Sequence, residues 1–241
     1  MPKFRFNVYD YMIIILIVVA IAGMYTTGLH HLQQLVVVPA AAAVLDYAIK
    51  FYRFKTKKFP KTAIISGMLV AMVIEASLPL QIAAAFIAIL SKHVIIWKQS
   101  NIFNPAALAI IVTGFLGAGA TWWAASTPLV LLGIFITYKI RKVILAASFL
   151  IIYFALSIIT APNFSVHYLY NLYALFFALF MLIEPKTSAH TRKAMIVFGV
   201  SAAMLAFSMQ FIPLPILPVD FLLFSLLVMN IFTPFLDKKL K

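Results

Sequence analysis

Residues 62–97, TAIISGMLVAMVIEASLPLQIAAAFIAILSKHVIIW, decide the fold. They hold two apolar runs, Thr62–Ile74 and Pro79–Trp97, with Glu75 just beyond the first and Pro79 opening the second. Segments whose backbone meets lipid must satisfy their own amides, so both runs are read as helices. The first has only 13 residues, about 20 Å of helix against roughly 30 Å of hydrocarbon. Whether it crosses the membrane sets the sidedness of everything after it.

Eight further apolar runs flank this pair: Tyr9–Thr27, Leu32–Ile49, Phe103–Gly119, Trp123–Tyr138, Val143–Ala161, His167–Ile183, Ala194–Phe211 and Asp220–Leu236. If all ten cross and the N-terminus is cytoplasmic, every one of the 19 Lys and Arg residues falls on the cytoplasmic side. The opposite loops then hold none. A re-entrant third run would throw Lys92, Lys98 and the Lys139–Lys142 cluster outside. Basic residues collect in cytoplasmic loops, so the charges predict ten crossings, both termini cytoplasmic, in a cell membrane. Trp122 and Trp123 are then expected at the outer interface, where indole rings gather.

The 241 residues are 65% apolar and 10% charged, far more apolar than a soluble domain of this size can bury. That excludes a soluble enzyme and a large extramembrane domain, and it makes the bilayer the first partner. The net charge of +13 is explained by loop lysines and does not call for nucleic acid. With no cysteine, disulfides and thiolate clusters are excluded. Two histidine pairs, His30/His31 with His167 and His93 with His190, are weighed as haem ligands and set aside, because most lie in or beside loops.

An internal repeat is expected from one echo. Met72-Val73-Ile74-Glu75 ends the third run and Met181-Leu182-Ile183-Glu184 ends the eighth, equivalent places in two five-helix halves of opposite topology. The chain is read as one transmembrane domain, residues 1–241, with inverted halves of approximately 1–120 and 121–241. Ionisable groups inside a membrane usually line a path for ions or solutes. Glu75 and Glu184 are the candidates, with Thr187 and Asn230 as further residues of the path.

The other polar residues have structural readings. Asp46 and Lys50 are spaced i, i+4 as a helix pair. Asp220 suits a helix N-cap, as does Asn104 with Pro105 at the first helical position. Lys92 is expected to snorkel to the inner headgroups. Gly114, Gly117 and Gly119 are read as close-packing residues.

Together these motifs resemble a known family. Residues 62–110, with Ser66-Gly67, Leu78-Pro79, Lys92 and Phe103-Asn104-Pro105-Ala106, resemble the membrane core shared by RnfD of the Rnf electron-transport complex and NqrB of the sodium-pumping NADH:quinone reductase. Phe180 to Ser188 resembles that family's Phe-Met-x-x-Asp-Pro-x-Thr stretch, with Glu184 for the Asp. The segment from Leu227 through Asn230 and Pro234 to Asp237 resembles its closing helix. The resemblance implies ten helices in two inverted halves, a fold similar to urea transporters. It also implies flavin-linked electron transfer coupled to Na+ or H+ movement, in company with other proteins of an electron-transport complex.

Family members attach FMN to the Thr of a Ser-Gly-Ala-Thr motif, with an Asp upstream. Here Gly119-Ala120-Thr121 follows Ala118, and position 115 is Phe. The expected cofactor is therefore FMN or riboflavin without a covalent link, with Lys92, Asn101, Asn104, Pro105 and Thr121 as the candidate contacts. The alternative is a stand-alone transporter or channel for a small solute or flavin on the same fold.

Overall fold

The computed structural model describes residues 6–98, 100–161, 170–211 and 220–240. Ten α-helices follow one another: α1 Val8–Thr27, α2 Leu32–Phe54, α3 Lys61–Val73, α4 Leu78–Val94, α5 Pro105–Gly114, α6 Leu129–Ile140, α7 Val143–Thr160, α8 Leu172–Phe176, α9 Arg192–Met209 and α10 Phe221–Lys239. A π-helical turn, Phe177–Met181, continues α8. Four two-residue strands pair antiparallel. β1 Ile74–Glu75 pairs with β4 Gly119–Ala120, and β2 Ile96–Trp97 pairs with β3 Ser100–Asn101.

The chain is an all-α membrane protein. Helices α1, α2, α7, α9 and α10 are long and apolar enough to cross a membrane, whereas α3, α4, α5, α6 and α8 with its π turn are shorter. Each predicted run contains one helix, but three runs are shorter than predicted. In the eighth the helix begins only after Asn171 and its π turn ends at Met181, and the fifth and sixth are shortened too. The helix of the fifth stops at Gly114, and Gly117, at φ +88°, turns the chain where an L side chain would be strained. The sixth helix starts only at Leu129, after Pro128. Between them, residues 115–128 fold back on the protein, and the amides of Thr121 and Trp122 both donate to the Val73 carbonyl.

In that fold-back Trp122 and Trp123 are packed inside the protein and not presented to lipid headgroups. Both rings are buried, because each indole N–H finds a protein acceptor: Asp220 Oδ2 at 2.7 Å for Trp122 and the Ala71 carbonyl at 2.7 Å for Trp123. Gly117 and Gly119 are likewise not packing residues, since a Cβ at either would meet nothing closer than 3.9 Å. Close approach is made instead by Gly67, against Pro39 of α2, and by Gly199, against Leu145 of α7.

Packing repeats along the chain. α2 packs on α4 as α7 packs on α9, α4 on α5 as α9 on α10, and α1 on α3 as α6 on α8 and its π turn. α1 meets α6, and α5 meets α10, across the middle.

The helix ends that carry Lys and Arg gather at one end of the molecule. Lys61 Nζ bonds Asp10 at 2.5 Å, Lys92 Nζ bonds the Thr62 carbonyl at 2.8 Å, and Lys139 lies over the Tyr11 ring. At the opposite end Trp123 stacks on His31, with ring centroids 4.1 Å apart. The predicted caps also form: Asn104 accepts from Ala107 N and Asp220 from Leu223 N.

Candidate functional site

A cavity of about 150 Å³ opens at the basic end between α1, α2, α3, α4 and the chain after α8. Its walls include Met12, Ile65, Leu69, Phe180 and Ile183, and its polar lining includes Asp46, Lys50, Lys92, His93, Asn101, Asn104, Glu184 and Lys186.

The break after α8 creates the polar part. The π turn closes with Leu182 N donating to the Phe177 carbonyl. Pro185 has no amide hydrogen and cannot extend a helix, so the chain leaves the helical path at Glu184. The amides of Thr187 and Ser188 turn back onto the Glu184 carbonyl. An unwound segment within a bundle leaves carbonyls that must be satisfied, and four side chains from elsewhere do this, Thr233 Oγ1 donating to Thr187 O at 2.8 Å among them. Asn104 Nδ2 donates to Met181 O at 3.0 Å and Asn230 Nδ2 to Thr187 O at 3.1 Å. Lys142 Nζ donates to the Ser188 and Ala189 carbonyls. Asn104 N also donates to Asn230 Oδ1 at 2.8 Å, which locks α5 to α10 beside the break.

Glu184 is thereby held half-buried on the cavity wall. Its Oε2 accepts from Thr187 Oγ1 at 3.2 Å. Lys92 faces the same cavity, but among the described residues it is not within ion-pair distance of Glu184; it is bonded to Thr62 O. Beside it lies a cluster that the sequence only half discloses. Asp46 Oδ2 accepts from Lys50 Nζ at 2.6 Å, as the i, i+4 spacing predicts. Asp46 Oδ1 also meets His93 Nε2 at 2.9 Å. The adjacency of His93 to Lys92 is the available signal for that partner, but pairing α4 with α2 is a tertiary fact.

The candidate residues fall into two groups. Lys92, Asn101, Asn104 and Glu184 line the cavity, Thr187 and Asn230 brace its wall, and Pro105 is buried at the first position of α5. Glu75 and Thr121 are at the other end of α3. Glu75 is exposed in β1, paired with Gly119. The Thr121 hydroxyl is buried with no hydrogen-bond partner among the described residues. One flavin cannot touch both groups. The ammonium groups of Lys50, Lys92 and Lys186 suit a phosphate, but the closed volume is below the roughly 300–1,000 Å³ of pockets that engulf such ligands. Only the phosphate end fits inside.

Lys142, in the turn between α6 and α7, is 5% exposed. Burial pushes its ammonium pKa down to about 8 from 10.5. A base whose pKa is lowered by folding costs stability while it is charged, and the cost is relieved as pH rises through the folded value. Wild-type stability should therefore rise between about pH 8 and pH 10.5, by up to about 3 kcal/mol. A Lys142→Met protein should lose most of that slope in thermal melts taken across this range. An identical slope in both proteins would mean the ammonium is solvated.

The family model described as the NQR2, RnfD, RnfE family matches residues 6–125 and 111–241. No curated protein matches the chain.

Proposed function

We propose, from the premise that the chain belongs to the NQR2, RnfD, RnfE family, that it carries the coupling cation of a redox-driven pump. In this reading Glu184 receives Na+ or H+ from the basic end, and Glu75 is its counterpart at the opposite end. The observation that carries the reading is the break after α8, which presents a half-buried carboxylate to a cavity of about 150 Å³ and is braced by side chains from three other parts of the fold. Unwound helix segments of this kind bind coupling ions where two repeats meet.

The repeated packing supports two inverted five-helix halves, α1–α5 and α6–α10. Inversion puts equivalent residues at opposite ends, as Glu75 and Glu184 are. The clustering of charge supports a basic end facing the cytoplasm, by the rule that basic loops stay inside. Redox partners would be neighbouring proteins of the complex, since the chain has no cysteine for a cluster.

A flavin, FMN or riboflavin, would supply one- and two-electron transfer when bound. Lys50, Lys92 and Lys186 would hold the phosphate of FMN, with Asn101 beside them at the mouth. No covalent link is expected, because the Thr121 hydroxyl is buried at the far end. The purified protein should show flavin absorption that disappears on denaturation and desalting, and Lys92→Gln should reduce FMN occupancy severalfold. Fluorescence that stays on the denatured chain and vanishes in Thr121→Ala would overturn the non-covalent reading. A spectrum without flavin would leave this chain an ion path whose electrons travel in its partners.

A further inference from the structure

The segment that joins α2 to α3, residues 50–61, reads KFYRFKTKKFPK, six basic residues and no acid. From the sequence these lysines are only loop charge. Their setting in the structure is more specific. Lys50 and Lys61 turn inward to Asp46 and Asp10, which leaves Arg53, Lys55, Lys57 and Lys58. All six acidic side chains of the protein are described, and none forms an ion pair with these four or with Lys98. Among them stand Tyr52, Phe54 and Phe59, each more than half exposed.

A second element extends the patch. Lys98 turns the β2–β3 hairpin at φ +46°, and Trp97 beside it is 59% exposed, unlike the two buried tryptophans. The hairpin is tied to the α2 end, because Arg53 Nη1 donates to the His93 carbonyl at 3.5 Å and the Phe54 ring lies 6.4 Å from the His93 ring. Exposed aromatics and uncompensated lysines thus share one rim at the end of α2, a helix long and apolar enough to cross a membrane.

We propose that this rim, Arg53 to Phe59 together with Trp97 and Lys98, is a docking surface for anionic lipid headgroups of the adjoining leaflet. Position selects lipid as the occupant. A segment that leaves a crossing helix lies at headgroup depth, where aromatic rings settle and each lysine gains from negative surface charge. The bound phosphates would neutralise charge that no acidic side chain of the protein meets.

Titration of the detergent-purified full chain, followed by native mass spectrometry, tests this with phosphatidylglycerol and phosphatidylcholine of the same acyl chains. Phosphatidylglycerol should bind at least about tenfold tighter, and the preference should shrink with added salt. Combined Lys55→Gln, Lys57→Gln, Lys58→Gln and Lys98→Gln should abolish the preference without changing the melting temperature. Arg192→Gln, Lys193→Gln, Lys238→Gln and Lys239→Gln remove equal charge elsewhere on the basic end and should lower it less than threefold. Equal binding of the two lipids by the wild type, or equal loss in both variants, would overturn the assignment. Should the patch variant fail to fold, Trp97→Ala with Phe59→Ala gives a second test. It should weaken both lipids together, and no change would contradict docking at this rim.

Discussion

A Gly199→Ala protein should be less stable than wild type by about 2–3 kcal/mol, near the upper range for overpacking. A Cβ there would lie 2.7 Å from the Leu145 carbonyl oxygen, 2.9 Å from Ser148 Cβ and 3.0 Å from Phe149 N. Two of those atoms are backbone, so α7 must move away from α9 as a unit, and a flexible side chain cannot absorb the clash. Gly67→Ala should behave alike, because its Cβ would lie 2.6 Å from Pro39 Cα and 3.0 Å from Ala42 Cβ. Gly119→Ala is the control, with only Glu75 O near, at 3.9 Å; it should change stability by less than about 0.5 kcal/mol. Unfolding in detergent measures all three. Equal stabilities would mean that the helices are not this close.

Glu184→Gln should lower redox-driven ion uptake at least tenfold in vesicles that hold the assembled complex. The amide keeps the shape of the carboxylate and can still accept from Thr187. The bonds that brace the break come from Asn104, Asn230 and Lys142, not from the Glu184 side chain, so the melting temperature should stay within a few degrees. What disappears is the charge that attracts a cation or takes up a proton. Glu75→Gln should also reduce uptake, but by less, because an exposed group is easily replaced by water in hydrating the ion. Full uptake in Glu184→Gln would show that the carboxylate only terminates a helix.

The sequence discloses the helices well because long apolar runs have one solution in lipid. α1, α2, α7, α9 and α10 follow the runs to within a few residues, although α2 continues past Ile49 to Phe54. It discloses less of α5 and α6, where residues 115–128 are apolar enough to read as helix. Gly117 and Pro128 turn them into a cap over α3 instead. The burial of Trp122 and Trp123 is hidden for the same reason: their acceptors, Asp220 and the Ala71 carbonyl, are distant along the chain.

The candidate site is partly legible. Lys92, Asn101, Asn104 and Glu184 stand out as polar residues in apolar surroundings, and the structure brings all four to one cavity. Its floor is less visible, since Asp46 reads as a helix ion pair until His93 arrives from α4. The echo between Glu75 and Glu184 is visible as letters, and the ten-crossing topology already expects the two at opposite ends, where the structure has them. The π turn leaves no mark in the sequence, because Phe177–Met181 is as apolar as any helix interior.

The claim that Glu184 holds the coupling cation is tested most directly by its reactivity toward dicyclohexylcarbodiimide, which modifies half-buried carboxyl groups. Peptide mass spectrometry of the intact complex should find Glu184 modified, at a rate slowed severalfold by Na+ if Na+ is the ion. If the ion is H+, Na+ should have no effect, and Glu184 should stay reactive at a pH well above that at which an ordinary exposed carboxyl stops reacting. A Glu184 that never reacts, or reacts independently of Na+ with the pH dependence of an ordinary exposed carboxyl, would contradict the account.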